Sequence, residues 1–399
     1  MKRLLPIAII LFMIFLLNWY VLSGLLTLSS SPYITPVFWF TIAAITGAVL
    51  YSFTRIAKHG LDLFVKISTH IALTLVVAEL MMAILLFFGD AYDLIAGLPR
   101  NIYWVEACLL LMLSTIFLFV YGMVFGKYNY KVINHTLYFD NLPDKFDGFK
   151  LVQISDVHAG SLNNPKAVQR GIHLINAQKA DLFVFTGDLV NNKAEEVKPW
   201  LSYFSQIKAP YGQFSVLGNH DYGDYIKWGD LGNEKGRNLD QLKAYHQDLG
   251  FRLLLDEHVQ LRKEDQYIVL AGVENWGIGF GERGDLKRAM VGTTETEFKI
   301  LLSHDPTHWE AQVKSFVPNI QLTLSGHTHG MQFGLEAFGI KWSPVKYRYK
   351  HWAGLKTEND RVININRGFG FIGFSGRIGI WPEITVIELK KKASNESLQ

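Results

Sequence analysis

Leu182-Phe183-Val184-Phe185-Thr186-Gly187-Asp188-Leu189-Val190-Asn191-Asn192 is the stretch whose reading decides the fold. Residues 182–186 are mostly apolar, aromatic or β-branched, which predicts a short buried strand. Gly187 ends the run and Asp188 follows at once. A carboxylate at the tip of a buried strand is costly to desolvate unless positive charge meets it. Glycine-aspartate after a strand is commonly an ordinary turn. The alternative, Asp188 bridging two metal ions, depends on what else the chain sends to the same place.

Four further predicted strands end in residues of the same kind. Residues 151–155 lead into Asp156-Val157-His158, and 214–217 into Gly218-Asn219-His220-Asp221. Residues 300–303 lead into His304-Asp305-Pro306, and 322–325 into Gly326-His327-Thr328-His329-Gly330. In extended backbone, residues two apart point the same way. Asp156 with His158, and His327 with His329, can therefore each reach into one site, while the glycines let the backbone turn close beneath it. Carboxylate and imidazole donors without thiolate suit manganese, iron or zinc. Each motif alone is common in loops; five together, each just past a strand, are hard to obtain by chance.

Around these points the pattern alternates between strands and helices. Strands are predicted at 131–138, 150–154, 213–217, 267–273, 299–303, 321–325, 362–366 and 384–389. Helices are predicted at 165–180, 197–207 and 238–249, the first with Asn164 as its cap and Val168, Ile172 and Ile175 on one face. This is mixed α/β, with the candidate ligands at the C-terminal strand ends where open α/β sheets bind ligands.

The chain of 399 residues is long enough for more than one domain. Its charge is nearly balanced, at a formal +3, so no nucleic-acid partner is expected. The charges are unevenly spread: residues 1–126 hold only six of the 39 Lys and Arg and five of the 36 Asp and Glu. Four apolar runs, 4–28, 37–53, 67–88 and 103–125, approach the roughly 20 residues a bilayer requires, the second being short. The first is too long for a signal peptide. Lys2 and Arg3, then Arg55, Lys58 and Lys66, then Lys127 and Lys131 all fall on one side of such a bundle; the alternate loops hold only Arg100, beside Asp90 and Asp93. The positive-inside rule then puts both termini and the soluble half in the cytoplasm. The glycosylation patterns at Asn134 and Asn395 would have no meaning there. Glu79 falls mid-helix, where a carboxyl tying helices together is the expectation. The lone Cys108 excludes an intrachain disulfide.

The set Asp156-x-His158, Gly187-Asp188, Gly218-Asn219-His220, His304 and Gly326-His327-x-His329 resembles the calcineurin-like metallophosphoesterase superfamily, over residues 147–389. Val152-Gln153-Ile154-Ser155-Asp156 and the ending Arg367-Gly368 with Pro382-Glu383-Ile384 resemble its membrane-attached bacterial phosphohydrolases; Met331 stands where that pattern has glycine. The resemblance implies a four-layer α/β sandwich of two mixed β-sheets flanked by helices, here preceded by an all-α bundle of four transmembrane helices. It divides the chain into residues 1–127, 128–390 and a polar tail, 391–399. It implies two divalent metal ions, manganese foremost, with iron or zinc as alternatives. Asp156, His158 and His329 would hold the first ion, Asn219, His304 and His327 the second, with Asp188 between them. His220 would be no ligand but a catalytic group. Two cations about 3.5–4 Å apart lower the pKa of a bridging water and clamp phosphate oxygens; imidazole, which titrates near neutral pH, suits proton delivery to the leaving oxygen.

The implied protein is a multi-pass membrane phosphohydrolase, in the inner membrane if bacterial. Its implied substrate is phosphorylated and amphipathic, a nucleotide-linked glycolipid being one candidate. The competing expectations are a membrane scaffold or sensor with a silent phosphoesterase fold, and a transporter regulated by its soluble half. Two other features carry expectations. Gly279-Phe280-Gly281-Glu282-Arg283-Gly284 matches a dinucleotide fingerprint but lacks the helix that would follow, so it is expected as a loop near the site, with Trp276 and Phe280 facing substrate. Arg367 and Arg377 flank a glycine-rich loop and either bind phosphate or form surface ion pairs.

Overall fold

The computed structural model describes residues 5–60, 62–229, 232–337 and 339–392. Lys2, Arg3, Asn395 and most of the expected polar tail lie outside the described residues. The chain divides into two compact units, Met1–Met123 and Val124–Gln399.

The first unit consists of helices α1 (Leu5–Leu28), α2 (Ile34–His59), α3 (Leu63–Ala96) and α4 (Ile102–Val124). All four are long and apolar enough to cross a membrane. The short second run becomes a helix of 26 residues, because helical backbone continues past its apolar stretch at both ends. Asp62 caps α3 by accepting from the Val65 N–H at 2.9 Å, and Gly97, in the left-handed conformation, ends it. Arg100 is not free in its loop. Its Nε donates to Asp90 Oδ1 at 2.7 Å, and Tyr20 donates to the same carboxylate at 2.7 Å. Val21, Met82, Leu86, Val105 and Cys108 form the buried core of this unit.

The second unit begins with the short turn Gly126–Tyr128. Tyr128 is buried there and its hydroxyl accepts from the Asn163 N–H at 2.9 Å. Its strands are β1 (Lys131–Phe139), β2 (Phe149–Ile154), β3 (Leu182–Phe185), β4 (Gln213–Ser215), β5 (Arg252–Leu253), β6 (Glu257–Lys263), β7 (Gln266–Gly272), β8 (Trp276–Gly277) and β9 (Gly281–Glu282). They continue as β10 (Lys299–Leu302), β11 (Leu322–Ser325), β12 (Leu335–Ala337), β13 (Ile340–Trp342), β14 (Gly354–Glu358), β15 (Arg361–Ile365) and β16 (Glu383–Lys391). Two six-stranded sheets result, ordered β1-β16-β2-β3-β4-β5 and β14-β15-β11-β10-β7-β6. Both are mixed. The first pairs β2, β3, β4 and β5 in parallel but β16 antiparallel to β2. The second is parallel from β7 to β15 with antiparallel edges.

The layering follows from side-chain alternation. Leu182 and Val184 of β3 join Ile300 and Leu302 of β10 in the core between the sheets. Their neighbours Phe183 and Phe185 turn outward, onto a layer that includes helix α5 (Pro165–Ala177) and its buried Val168, Ile172 and Ile175. Leu301 likewise packs outward with Trp309 and Val313. Strands buried on both faces read as continuous apolar runs, which is why these were visible in the sequence. Asn164 caps α5, accepting from the Ala167 N–H at 3.1 Å. The helix expected at 197–207 is instead a 3-10 segment, Ala194–Trp200, followed by one turn of α-helix, Leu201–Phe204. Pro199 lacks the N–H a regular helix would need. The other long helix of this unit starts four residues before the expected 238, at Glu234, capped by Asn233.

Two fully buried histidines lie in these layers, away from the strand-end cluster. His246 Nδ1 sits 2.9 Å from Ser215 Oγ, and His308 Nδ1 2.8 Å from Ser303 Oγ. In both, Nε2 is buried without a partner, so burial pushes His246 down to about 3 and His308 down to about 4. A histidine depressed in the folded state is protonated first in the unfolded chain. The stability it confers is whole above pH ~6.5 and lost as pH falls towards its folded value. Urea unfolding at pH 7.5 and 5 is expected to show a loss of roughly 2 kcal/mol per histidine. A His246→Gln/His308→Gln double variant, whatever its stability at pH 7.5, should lose correspondingly less on acidification. An undiminished dependence would contradict this assignment.

Candidate metal centre

The five strand ends converge. Asp156 follows β2, Asp188 follows β3, Asn219 and His220 follow β4, His304 follows β10, and His327 and His329 follow β11. The turns beneath them are tight. Gly187 has a φ of 95°, and a Cβ there would lie 2.6 Å from the Gly218 nitrogen and 2.8 Å from His304 Nδ1. Asp156, His158, Asp188, His327 and His329 are all held at positive φ, a conformation non-glycine residues adopt at a cost and mostly at functional sites. Met331 shares it, at 53°; the backbone keeps the form that suits glycine, and the longer side chain is accommodated by pointing to solvent.

Two clusters of ligand-type atoms form, Asp156/His158/His329 and Asp188/His304/His327. In the first, His158 Nε2 lies 3.0 Å from His329 Nε2, and His329 Nε2 lies 3.2 Å from Asp156 Oδ1. In the second, His304 Nε2 lies 3.2 Å from Asp188 Oδ2 and 3.3 Å from His327 Nδ1. Asn219 Oδ1 joins it, 2.9 Å from His327 Nδ1. The clusters share an atom: Asp188 Oδ2 is also 3.6 Å from His158 Nε2. Second contacts orient the rings. His158 Nδ1 faces the Val190 carbonyl at 3.2 Å and His304 Nδ1 the Thr186 carbonyl at 2.7 Å. His327 Nε2 meets the Tyr349 hydroxyl at 2.7 Å and Asp305 Oδ2 at 3.3 Å.

This donor set fits divalent cations. Asp156 and Asp188 are buried, and among the described residues neither has a Lys or Arg ion-pair partner; the side chains that pair with them are imidazoles, besides the backbone N–H groups of His327 and His220. Imidazole nitrogens also abut one another, which leaves lone pairs opposed unless a proton or a cation lies between them. The protein's own charges show the tension. Burial opposes a charge on His304, yet the Asp188 carboxylate overrides it and raises that imidazole to about 10. His158, at the same oxygen, is driven by burial down to about 3. Burial would raise Asp188, but His304 and His220 hold it well below the usual carboxylate range.

His220 stands beside the clusters rather than in them. Its N–H donates to Asp188 Oδ1 at 2.8 Å, and Nδ1 faces the Asn191 carbonyl at 2.8 Å, which leaves Nε2 as the free ring atom. The ring is half-buried, between His158 at 5.0 Å and Tyr225 at 4.5 Å.

Sequence reasoning assigned no role to several neighbours. Asp221 accepts backbone N–H groups from Asp188, Leu189, Val190 and Gly218 at 2.8–3.2 Å, tying two ligand loops together. Burial, then the Asp188 charge, raises it to about 7. Its place directly after Asn219-His220 was the available signal. Tyr225 (on Asn219 Nδ2, 2.7 Å) and Tyr349 arrive from loops with no pattern to mark them. The glycine-rich loop near 279–284 forms the small hairpin β8–β9, and Phe280 packs against His327 with ring centroids 4.5 Å apart. Trp276 does not face substrate; it is buried against His308.

Arg367 and Arg377 also depart from expectation, since neither is a surface residue and neither is free for phosphate. Arg367 is buried between Glu383 and Glu336. Arg377 is fully buried; its Nε donates to Gly370 O at 2.9 Å and its Nη2 to Arg367 O and Gly370 O at 2.7 Å. The same Nη2 stands 3.2 Å from His329 Nδ1. The carbonyls of Arg367, Gly368 and Gly370 turn inward and occupy Nε and Nη2, while Nη1 is buried without a partner.

Residues 149–331 match the family model for calcineurin-like phosphoesterase, and residues 2–127 match that for the probable calcineurin-like phosphoesterase transmembrane domain. A Bacillus subtilis (strain 168) protein described as the uncharacterized metallophosphoesterase YkuE is 30% identical over 64% of this chain and 84% of its own length. A Danio rerio transmembrane protein with metallophosphoesterase domain is 28% identical over 71% of this chain, and a Bos taurus protein of the same description is 27% identical over 62%. The chain spans 62% of the Danio rerio protein's length and 54% of the Bos taurus one.

Proposed function

The chain belongs to the calcineurin-like metallophosphoesterases, in a form with four membrane-type helices ahead of the phosphoesterase domain, and on that premise we propose that it is a membrane-anchored, two-metal hydrolase of phosphodiester or pyrophosphate bonds. The observation that carries this reading is the position of Asp188 Oδ2, within 3.2 Å of His304 Nε2 and 3.6 Å of His158 Nε2. One carboxylate oxygen thereby serves both ligand clusters. Asp156, His158 and His329 would hold one ion and Asn219, His304 and His327 the other, with manganese the first metal to try and iron or zinc next. Bound there, divalent ions would polarise the phosphoryl group and supply an acidified water.

The rest falls to the protein's own residues. His220 delivers a proton from Nε2 to the departing oxygen as the phosphorus–oxygen bond breaks, while the Asn191 carbonyl holds the other side of the ring. Asp221 keeps the Asp188 and Asn219 loops in register. Phe280 and Tyr349 wall the side of His327, where an apolar portion of a substrate would rest. We infer an amphipathic, lipid-linked substrate from the four-helix anchor, and a cytoplasmic catalytic unit from Arg55 and Lys66 lying on the same side of the helices as the link to that unit.

Purified full-length protein with added manganese is expected to cleave bis-p-nitrophenyl phosphate faster than p-nitrophenyl phosphate. His220→Ala should lower kcat by roughly a hundred-fold or more while two ions per chain remain bound. The loss should be larger for an alkyl leaving group than for p-nitrophenolate, which needs little proton assistance. Metal loss in His220→Ala would make the residue a ligand instead. Absence of any metal-dependent turnover, on these or on lipid pyrophosphates, would remove the hydrolase reading.

A further inference from the structure

A cavity of about 280 Å³ lies among α1, α2 and α3. Its walls are aliphatic, with Ile14, Ile45 and Leu75 among them, yet Asn18, Thr46 and Glu79 meet there. Each falls near the middle of its helix. Glu79 is only 4% exposed and Asn18 only 1%. Asn18 Nδ2 donates to the Ile14 carbonyl at 2.9 Å, but its Oδ1 is buried without a partner. Among the described residues Glu79 has no hydrogen-bond or ion-pair partner either. It does not tie helices together as its place in the sequence led one to expect; it lines the cavity.

Oxygen acceptors left unpaired at bilayer depth are costly, and an ionisable residue there marks a functional site by default. The cavity therefore calls for an occupant that is mostly hydrocarbon and carries one donor. An ammonium group would create a buried ion pair, whose desolvation commonly cancels its attraction. A hydroxyl both donates and accepts: with Glu79 protonated it accepts from that carboxyl and its own hydrogen is left for the Asn18 oxygen, and with Glu79 ionised that single hydrogen goes to the carboxylate. We infer that this cavity binds the hydroxyl end of a long-chain alcohol dissolved in the membrane, with Glu79 and Asn18 as its hydrogen-bond partners. This site is built wholly from residues of the first unit and does not depend on the hydrolase reading.

The test is photolabelling of the full chain in phosphatidylcholine nanodiscs with hexadecanol carrying a diazirine on its chain, read by peptide mass spectrometry. Label is expected on residues 10–18, 42–53 and 72–79. Unlabelled hexadecanol should displace it, and hexadecyl methyl ether, which cannot donate, should do so roughly ten-fold more weakly. Glu79→Leu should reduce labelling by a similar factor. Leu75→Trp, which fills the cavity and leaves the polar groups intact, should remove it, so the inference stays open to refutation if Glu79→Leu fails to fold. Even labelling of all four helices, including residues 102–124, would overturn the site. Equal competition by the ether would overturn the role of the hydroxyl. Stronger competition by hexadecylamine would replace the alcohol with a cation and refute the inference as stated.

Discussion

Asp188→Asn is expected to abolish hydrolysis, lowering turnover by roughly a thousand-fold or more, and to reduce bound metal from two ions to one or fewer. The substitution preserves shape. Oδ1 can still accept from the His220 N–H, and the backbone N–H still reaches Asp221. What disappears is the negative charge on the one oxygen that faces both His158 and His304, and the incoming amide can point donor hydrogens where a cation should sit. His304 also loses the partner that raises it. Metal content by plasma mass spectrometry and turnover of bis-p-nitrophenyl phosphate would be measured on the same preparation. Residual activity above a tenth of the native rate, with both ions present, would mean that Asp188 is not shared. Native metal content with no activity in either protein would instead favour a silent scaffold.

Arg377→Met should strongly destabilise the second unit, by about 3–5 kcal/mol for three carbonyls left short of donors, because methionine fills much of the space but donates nothing. Gly370 O would lose both of its guanidinium bonds, and the carbonyls of Arg367 and Gly368 one each. Unsatisfied acceptors in a dry loop cost far more than the net worth of the bonds themselves. Burial pushes the guanidinium down to about 10, against the pull of the Asp156 and Glu383 charges. A fall in the soluble unit's Tm by about 10 °C is expected, followed by near-UV circular dichroism with metal in excess. A change below 1 kcal/mol would show that water or a rearranged loop replaces those donors.

The sequence was most readable where strands are buried on both faces. In β3 and β10 every position is apolar or buried, the run stops abruptly, and the chemistry follows within three residues, so fold and candidate ligands were found by one signal. It was least readable at the sheet edge. Glu257-His258-Val259-Gln260-Leu261-Arg262-Lys263 pairs with β7 along its full length, yet its half-exposed, charged character is what an edge strand needs to avoid pairing with other chains, and it does not look like a strand. The positioning groups were hidden for a different reason. Asp221 and Arg377 act by collecting backbone N–H or C=O groups, and a sequence does not state which way a loop's peptide groups face. Tyr349 reaches His327 from a segment with no periodicity at all.

One pairing described above bears on how the protein is made. Strand β16, near the far end of the chain, lies between β1 and β2, matching Lys131 to Glu383 on one side and Leu151 to Ile387 on the other. During synthesis β1 emerges ahead of the other described strands and has no sheet neighbour until β16, the last of them, has been translated. The first sheet therefore cannot close on a nascent or prematurely terminated chain, and its closure is a slow, late event of high contact order. Asp156 and His158 follow β2, so the sheet that carries them stays open along one side of β2 until β16 has been made. Ribosomal stalling or proteolytic clipping ahead of that point would leave an open sheet edge for quality-control proteases to find.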